Sequence, residues 1–317
     1  MTAQNVLLLG GTGTIGRATA QALRAEGHHV TALVRPAADV SLLPGCSLIR
    51  GDVTDPRALA LAMTGAQAVI SCLASRTGAP KDAWAIDHAA NSAALKAAVA
   101  AQVRHFVLLS AICVQKPLLD FQNAKLAFEA ELQAAPMVWT IVRPTAYFKS
   151  LSGQVTRVQQ GRPFLVFGDG GLTSCKPISD ADLGRFLTLC LTDPAKHNRI
   201  LPIGGPGPAI TPLGQAAMLE RLTGKPIRIK RVPVALMSGI IGLLTALGVL
   251  SPRLAAKAQL ARIGRYYATQ SMLVWDEARQ AYSADATPEF GTDRLEDHYA
   301  AMLRGDVTDD RGDHAIF

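Results

Sequence analysis

The N-terminal stretch that decides the fold reads VLLLGGTGTIG over residues 6–16. Its first four residues have the length and apolar character of a buried strand, and an Ala-rich amphipathic segment, Arg17 to Glu26, follows the glycines. A strand, a glycine turn and a helix N-terminus together form an anion site. Glycine lets the backbone approach a pyrophosphate, and the N–H groups at a helix start favour negative charge. The alternative is a glycine-rich turn without a ligand.

The three spaced glycines Gly10, Gly13 and Gly16 follow the pattern G-x-x-G-x-x-G rather than the G-x-G-x-x-G of older dehydrogenases. Their position between a strand and a helix supports a dinucleotide site. We therefore expect the turn to contact a dinucleotide cofactor through six residues: Gly10, Thr12, Gly13, Thr14, Ile15 and Gly16.

Strand-like and helix-like segments alternate up to residue 150. Strands are predicted over 6–9, 29–34, 47–50, 69–73, 105–109 and 138–142, and longer helices over 83–101 and 118–134. This alternation predicts an α/β fold, a Rossmann-type doubly wound parallel sheet with a smaller C-terminal α+β substrate lobe. We expect an NADP-binding domain over 1–150, a substrate lobe over 151–304 interleaved with it, and a disordered tail over 305–317.

The residue after the second strand indicates which dinucleotide is bound. An acidic residue at this point binds the ribose 2′-hydroxyl of NAD, whereas an arginine suits a 2′-phosphate. Arg35 occupies the position, so we expect NADPH; a solvated strand end is the alternative. Asp52 follows the third strand and is expected to meet the adenine edge together with Val53.

Further candidate residues follow the later strands, because open α/β sheets bind ligands at the carboxyl ends of their strands. Leu73, Ala74 and Ser75 follow the fourth strand as expected cofactor contacts, and Ser110 follows the fifth as a catalytic candidate. Pro144 follows the sixth strand and is expected to touch the cofactor. His88, on the helix after the fourth strand, is a catalytic candidate or a packed or capping residue.

The composition excludes several classes of function. The formal net charge is +7, with lysine and arginine scattered rather than clustered and only 5% aromatic residues, which argues against nucleic-acid binding. The five cysteines are dispersed without a C-x-x-C motif, so neither a disulfide framework nor a metal site is expected.

Residues 234–250 form an uncharged, apolar stretch, and residues 252–267 form a basic partner. The apolar stretch is at the lower limit of membrane-spanning length and contains three glycines. It is interpreted as a buried core helix, the wall of an apolar substrate pocket or a membrane-contacting helix. With its partner it predicts a peripheral membrane contact through 234–267 or an acidic substrate.

The glycine pattern, Asp52, Ser110 and the pair Arg143-Pro144 resemble the extended and atypical short-chain dehydrogenase/reductases. That family carries Tyr-x-x-x-Lys on its catalytic helix, where this chain has Phe121 and Lys125. The phenol that moves a proton to a carbonyl oxygen is therefore missing, which disfavours ordinary ketone chemistry. The resemblance implies that Lys125 holds the nicotinamide ribose, with a surface lysine as the alternative.

Longer strings are similar to the NADPH-dependent divinyl chlorophyllide 8-vinyl reductases. They include SCLASR at 71–76, DAWAIDH at 82–88, LSAICVQKP at 109–117 and YYATQSMLVWD at 266–276. The resemblance extends over nearly the whole chain. It implies NADPH as cofactor and a divinyl chlorophyllide or protochlorophyllide as substrate, whose C8 vinyl group receives a hydride and a proton.

The proton donor is left open among Lys125, His88, Tyr147 and solvent. Two other functions also remain open, an NmrA-like redox sensor without turnover and an enzyme resembling isoflavone or quinone reductases. Because the first strand begins at residue 6, no transit peptide is expected. We expect a cytoplasmic protein of a phototrophic bacterium, peripheral on the cytosolic face of its photosynthetic membranes.

Overall fold

The computed structural model describes residues 3–249 and 251–307. The strands β1–β11 are Asn5–Leu9, His29–Val34, Ser47–Arg50, Ala68–Ser71, His105–Leu109, Val138–Pro144, Phe164–Phe167, Arg199–Ile203, Ile229–Val232, Val274–Asp276 and Ala281–Ser283. The helices α1–α12 are Thr14–Ala25, Pro56–Met63, Pro80–Ala83, Asn91–Ala100, Asp120–Gln133, Phe148–Leu151, Gly153–Gln159, Asp180–Thr192, Pro212–Thr223, Val234–Gly248, Pro252–Thr269 and Leu295–Arg304. A π-helical turn, Trp84–Ala90, joins α3 to α4.

Seven strands form one parallel sheet in the order β3-β2-β1-β4-β5-β6-β8. The predicted Rossmann-type fold is therefore confirmed. Central strands of such a sheet are covered on both faces, which explains why β1, β4 and β5 are continuous apolar runs. Leu7, Phe106 and Phe128 are completely buried in the core beside the sheet. The strand order reverses between β1 and β4, which is where folds of this class bind their ligands.

The chain divides into two compact units. The first contains the residues up to Ser75, Pro80–Pro144 and Asp180–Ile203, and the second contains Arg76–Ala79, Thr145–Ser179 and the residues from Gly204 onward. The predicted boundary at residue 150 differs for 180–203, which belongs to the first unit because β8 pairs with β6 and α8 packs on α1.

The second unit contains two small sheets and its own core. β7 pairs with β9 in parallel, and β10 pairs with β11 in antiparallel orientation. Phe164, Leu219 and Tyr299 are fully buried between its helices. The last helix ends at Gly305, whose φ of 86° is the left-handed conformation that terminates helices. The rest of the predicted tail, 308–317, lies outside the described residues.

Local hydrogen bonds explain two of the differences between the predicted and observed limits of elements in the first unit. β4 ends at Ser71, and the Ser71 hydroxyl accepts a hydrogen bond from the Leu73 N–H as the chain leaves the sheet. The helix predicted over 83–101 contains the π-helical turn. The side-chain amide of Asn91 donates to the carbonyl groups of Ile86 and Asp87, which stabilises this wider turn.

Candidate functional site: a dinucleotide site in the first unit

The glycine turn lies between β1 and α1. Gly10 has a φ of +73°, and a Cβ there would lie 2.7 Å from the carbonyl carbon of Cys72. A Cβ on Gly16 would lie 2.2 Å from the carbonyl oxygen of Gly10. Both glycines are therefore required by the fold, since no side chain fits at either place.

Gly13 differs from the other two glycines. It is the N-cap of α1 with a φ of −71°, it is exposed, and a Cβ would meet only the Gly10 oxygen at 3.4 Å. The fold has room for a side chain at this position, so packing does not explain the glycine. An open helix N-terminus without a side-chain cap fits the pyrophosphate of a dinucleotide. Thr12, Thr14 and Ile15 are partly buried around it.

A pocket of about 420 Å³ lies beyond the ends of β2 and β3, lined by Arg35, Pro36, Ala37, Ala38 and Asp52. The structure thus brings together the two side chains that the sequence selects for the adenosine end. Arg50 holds the pocket loop through a 2.6 Å hydrogen bond from Nη1 to the Pro36 carbonyl oxygen.

Asp52 is ordered by its own turn. Its Oδ1 accepts hydrogen bonds from the Thr54 hydroxyl at 2.6 Å and the Thr54 N–H at 2.8 Å. These bonds, together with the nearby charge of Arg35, hold the pKa of Asp52 below its usual value. Val53 and Leu73, both predicted cofactor contacts, are partly buried and pack against the hydrophobic core.

Lys125 and Asp87 form the central ion pair of the unit. The Lys125 ammonium lies 2.8 Å from Asp87 Oδ1, and the two side chains are only 12% and 1% exposed. The same carboxylate oxygen accepts a hydrogen bond of 3.3 Å from the N–H of Ser75, in the loop after β4. Ala74 is exposed in this loop. Phe121 is buried one turn before Lys125 on α5.

Ser110 belongs to a second buried cluster. Its hydroxyl donates to Glu129 Oε1, and Glu129 in turn pairs with the Arg143 guanidinium. Because the hydroxyl proton of Ser110 is used within the fold, this arrangement supports a structural contribution from the serine. Pro144 is buried at the end of β6.

His88 and Tyr147 are the two remaining catalytic candidates. His88 follows Asp87 in the π-helical turn, but its Nε2 lies 2.7 Å from Glu131 Oε1 and its ring contacts Trp84. Tyr147 belongs to the second unit, where it is the N-cap of α6.

Sequence reasoning did not select Asp87 or Glu129. Both carboxylates are almost completely buried, at 2% and 1% exposure. Acidic residues are rarely buried without a partner, so a carboxylate within an Ala-rich segment was the available signal.

The second unit carries a separate exposed feature, the hairpin formed by α10 and α11. No residue of α10 is buried, so the interpretation of its stretch as a core helix is wrong for Val234–Gly248. Large apolar side chains follow one another at helical spacing on its surface: Leu236 54% exposed, Ile240 46%, Leu243 62% and Leu247 40%. Within the described ranges no helix combines the length and the apolar character needed to cross a bilayer.

Basic side chains join the two helices of the hairpin. Arg262 donates to the Thr245 hydroxyl and Arg265 donates to the Ser238 hydroxyl, both at 3.0 Å. Arg253 and Lys257 are exposed on α11. An exposed apolar helix beside cationic side chains is the composition of an interfacial membrane contact.

Comparisons with known proteins agree with this geometry. A family profile described as NAD(P)H-binding matches residues 10–194. The NADPH complex of the quinone oxidoreductase QOR2 from Escherichia coli superposes with a TM-score of 0.66 at 18% identity, over 94% of this chain and 99% of that one, which shows a shared fold.

Two plant relatives are much more similar in sequence. The chloroplastic divinyl chlorophyllide a 8-vinyl-reductase of Oryza sativa subsp. indica is 44% identical over 98% of this chain and 82% of its own length. The protein of the same name from Zea mays is 45% identical with the same coverage. On this identity, extending over nearly the whole chain, the protein belongs to the family of the divinyl chlorophyllide a 8-vinyl-reductases.

Proposed function

We propose that the protein reduces the 8-vinyl group of divinyl chlorophyllide a, or of the corresponding protochlorophyllide, to an ethyl group with NADPH, in chlorophyll or bacteriochlorophyll biosynthesis. The observation that carries the proposal is the pair Phe121 and Lys125. A lysine is kept on α5 without the phenol that ketone reduction needs, and it is held by a buried carboxylate. This arrangement suits delivery of a hydride to a carbon–carbon double bond.

The residues of the first unit take these roles in the proposal. Gly13 and the start of α1 hold the pyrophosphate, Arg35 the 2′-phosphate and Asp52 the adenine edge, while Lys125 holds the nicotinamide ribose. Bound NADPH supplies a hydride to one vinyl carbon, and a proton added to the other carbon completes the ethyl group. The chain's contribution is orientation, which alone supplies a large part of the barrier reduction in such reactions.

The direct test is reduction of the pigment by the purified protein. Divinyl chlorophyllide a and NADPH are incubated with the protein, and the Soret absorption is followed. We expect a blue shift as the vinyl group leaves conjugation, together with oxidation of one NADPH per pigment. Binding of NADPH without a blue shift at any protein concentration would instead identify a dinucleotide sensor. Reduction of soluble quinones with no action on the pigment would identify a quinone-reductase-like enzyme.

We further propose that the α10–α11 hairpin rests on an anionic membrane surface, which would place the protein on the cytosolic face of photosynthetic membranes. Between Glu220 and Asp276 the chain has no acidic residue but nine basic ones: Arg221, Lys225, Arg228, Lys230, Arg231, Arg253, Lys257, Arg262 and Arg265. Each basic side chain near an anionic surface contributes about 1 kcal/mol, and each large apolar side chain that is buried contributes about 1.5–3 kcal/mol. An apolar pigment substrate would be available at the same surface.

Co-sedimentation with vesicles tests this contact. We expect binding to vesicles of phosphatidylcholine and phosphatidylglycerol, weaker binding to phosphatidylcholine alone, and loss of binding in L236D/L243D. The matched control is L61D, because Leu61 on α2 is 61% exposed, as Leu243 is at 62%. Equal sedimentation of L236D/L243D and L61D would overturn the proposal. A concentration-dependent dimer that L243D disrupts, without any vesicle binding, would assign the apolar face to a second copy instead.

A further inference from the structure

Asp87 is almost completely buried, and one of its oxygens is left without a donor. Its Oδ1 receives both the Lys125 ammonium and the Ser75 N–H. Among the described residues no hydrogen-bond partner exists for its buried Oδ2. The carboxylate is therefore held by one cation and one amide, both on elements that border the predicted nicotinamide end.

Hydrogen bonds made by Asn91 fix the position of the segment around Asp87. Asn91 donates to the carbonyl groups of Ile86 and Asp87, and its own side-chain oxygen accepts a 2.6 Å hydrogen bond from the Ser71 hydroxyl at the end of β4. The π-helical turn is thereby fixed to the sheet. π-Helical turns of this kind occur frequently at functional sites.

A buried carboxylate with one unpaired oxygen contributes little to the stability of the fold. Buried ion pairs are commonly no more stabilising than well-packed apolar residues, because both charges lose their hydration. An unpaired buried oxygen adds a further cost. A buried carboxylate of this kind is expected at a functional site, where its charge acts on a bound ligand.

We propose that Asp87 is a positioning residue for the cofactor, acting through Lys125. It holds the Lys125 ammonium and the loop at Ser75 in the places from which the nicotinamide ribose is bound. This inference rests on the proposed use of a dinucleotide but not on the identity of the pigment substrate.

The ion pair between Lys125 and Asp87 also bears on the role of Lys125. If Lys125 gave up a proton, Asp87 would be left as a buried charge without a counter-ion, which is strongly unfavourable. Lys125 is therefore assigned to orienting the cofactor, and the proton for the substrate is assigned to another group or to solvent.

The test is the affinity of the protein for NADPH and NADH, measured by fluorescence titration without pigment. D87N keeps the shape of the side chain and the acceptor for Ser75 but removes the charge. We expect the Kd of both nucleotides to rise about tenfold, with an unchanged ratio between them, because the nicotinamide ribose is common to both. The thermal midpoint should fall, because D87N leaves the largely buried Lys125 ammonium without its counter-ion. The control is E131Q, which removes the His88–Glu131 pair between the same two elements and should leave both affinities unchanged.

A double-mutant cycle separates positioning from a general structural effect. If Asp87 acts through Lys125, D87N adds no further loss in a K125Q background. Should D87N alone fail to fold, K125Q and D87N/K125Q give the same comparison. Wild-type affinity in D87N, additive losses in the cycle, or a lowered thermal midpoint with normal affinity in the folded fraction would each overturn the inference. A protein that binds NADPH in this Asp87-dependent way but leaves the pigment unreduced would refute only the proposed function.

Discussion

The glycine turn gives the sharpest prediction, because its glycines differ in what their missing side chains would touch. We expect G13A to fold normally and to bind NADPH poorly, and G16A to fold poorly. At Gly13 the backbone has φ −71° and ψ 164°, which any residue adopts, and the new Cβ would be 3.4 Å from its nearest neighbour. The gain from a stiffer unfolded chain, about 0.4–1 kcal/mol, is offset by a poorer helix cap of similar size.

At Gly16 the new Cβ would lie 2.2 Å from the Gly10 oxygen, so the turn must move by roughly 1 Å. Over-packing of this kind costs about 1–3 kcal/mol. A Cβ at Gly13 instead stands where the pyrophosphate is expected, and we predict a loss of at least tenfold in NADPH affinity, about 1.4 kcal/mol. G13V should lose more than G13A.

Urea unfolding gives the stability of each variant, and NADPH fluorescence titration gives its affinity. The reasoning fails if G13A and G13V bind NADPH as the wild type does, because the open helix N-terminus would then not hold the cofactor. It also fails if G16A is as stable as the wild type, because the turn would then have the room that its geometry denies.

Three further perturbations test other parts of the first unit. R35D should weaken NADPH far more than NADH, and an equal loss for both in the same titration would show that Arg35 does not meet a 2′-phosphate. Burial lowers the pKa of His105 to about 3, and the nearby His197 lowers it to a smaller extent. The free energy of unfolding therefore has its full value above pH 6.5 and decreases as the pH falls toward 3, because the unfolded chain binds this proton first. Urea unfolding should show about 2 kcal/mol of this loss between pH 7 and 5, and H105Q should lack it; equal pH dependence in both proteins would contradict the assignment. K125M should destabilise the fold by about 3 kcal/mol by leaving Asp87 without a counter-ion, and D87L/K125M should regain most of that stability. If K125M and D87L/K125M were equally stable, an unpaired Asp87 carboxylate would carry no such cost.

Much of the first unit follows from the sequence alone. The predicted strands at 29–34 and 105–109 match β2 and β5, because strands covered on both faces of a parallel sheet are short apolar runs bounded by polar residues. The predicted strand at 47–50 matches β3, the mostly exposed edge strand of the sheet. The glycine turn and Arg35 could also be placed from the sequence, because their positions relative to the strand ends are local properties of the chain.

The partners of the site residues could not be predicted in this way. Whether Asp87 or His88 faces Lys125 depends on the register of a π-helical turn, which hydrophobic periodicity does not reveal. The hydroxyl of Ser110 meets Glu129, nineteen residues further along the chain, only after α5 has packed. The uncharged stretch of α10 fits a core helix and a membrane contact equally well as a sequence, and only its exposure distinguishes them.

The π-helical turn also determines how this part of the chain tolerates insertions and deletions. A wider turn accommodates an extra residue, and one residue corresponds to about 100° of helical rotation, so α3 and α4 are out of phase with each other. One half of the segment can therefore present Asp87 to α5 while the other presents Asn91 to β4. Deleting the exposed Ala89 would bring the two halves back into phase and turn one of these contacts away, whereas substituting the same residue would preserve both. The site therefore requires the length of this segment as well as the identities of Asp87 and Asn91.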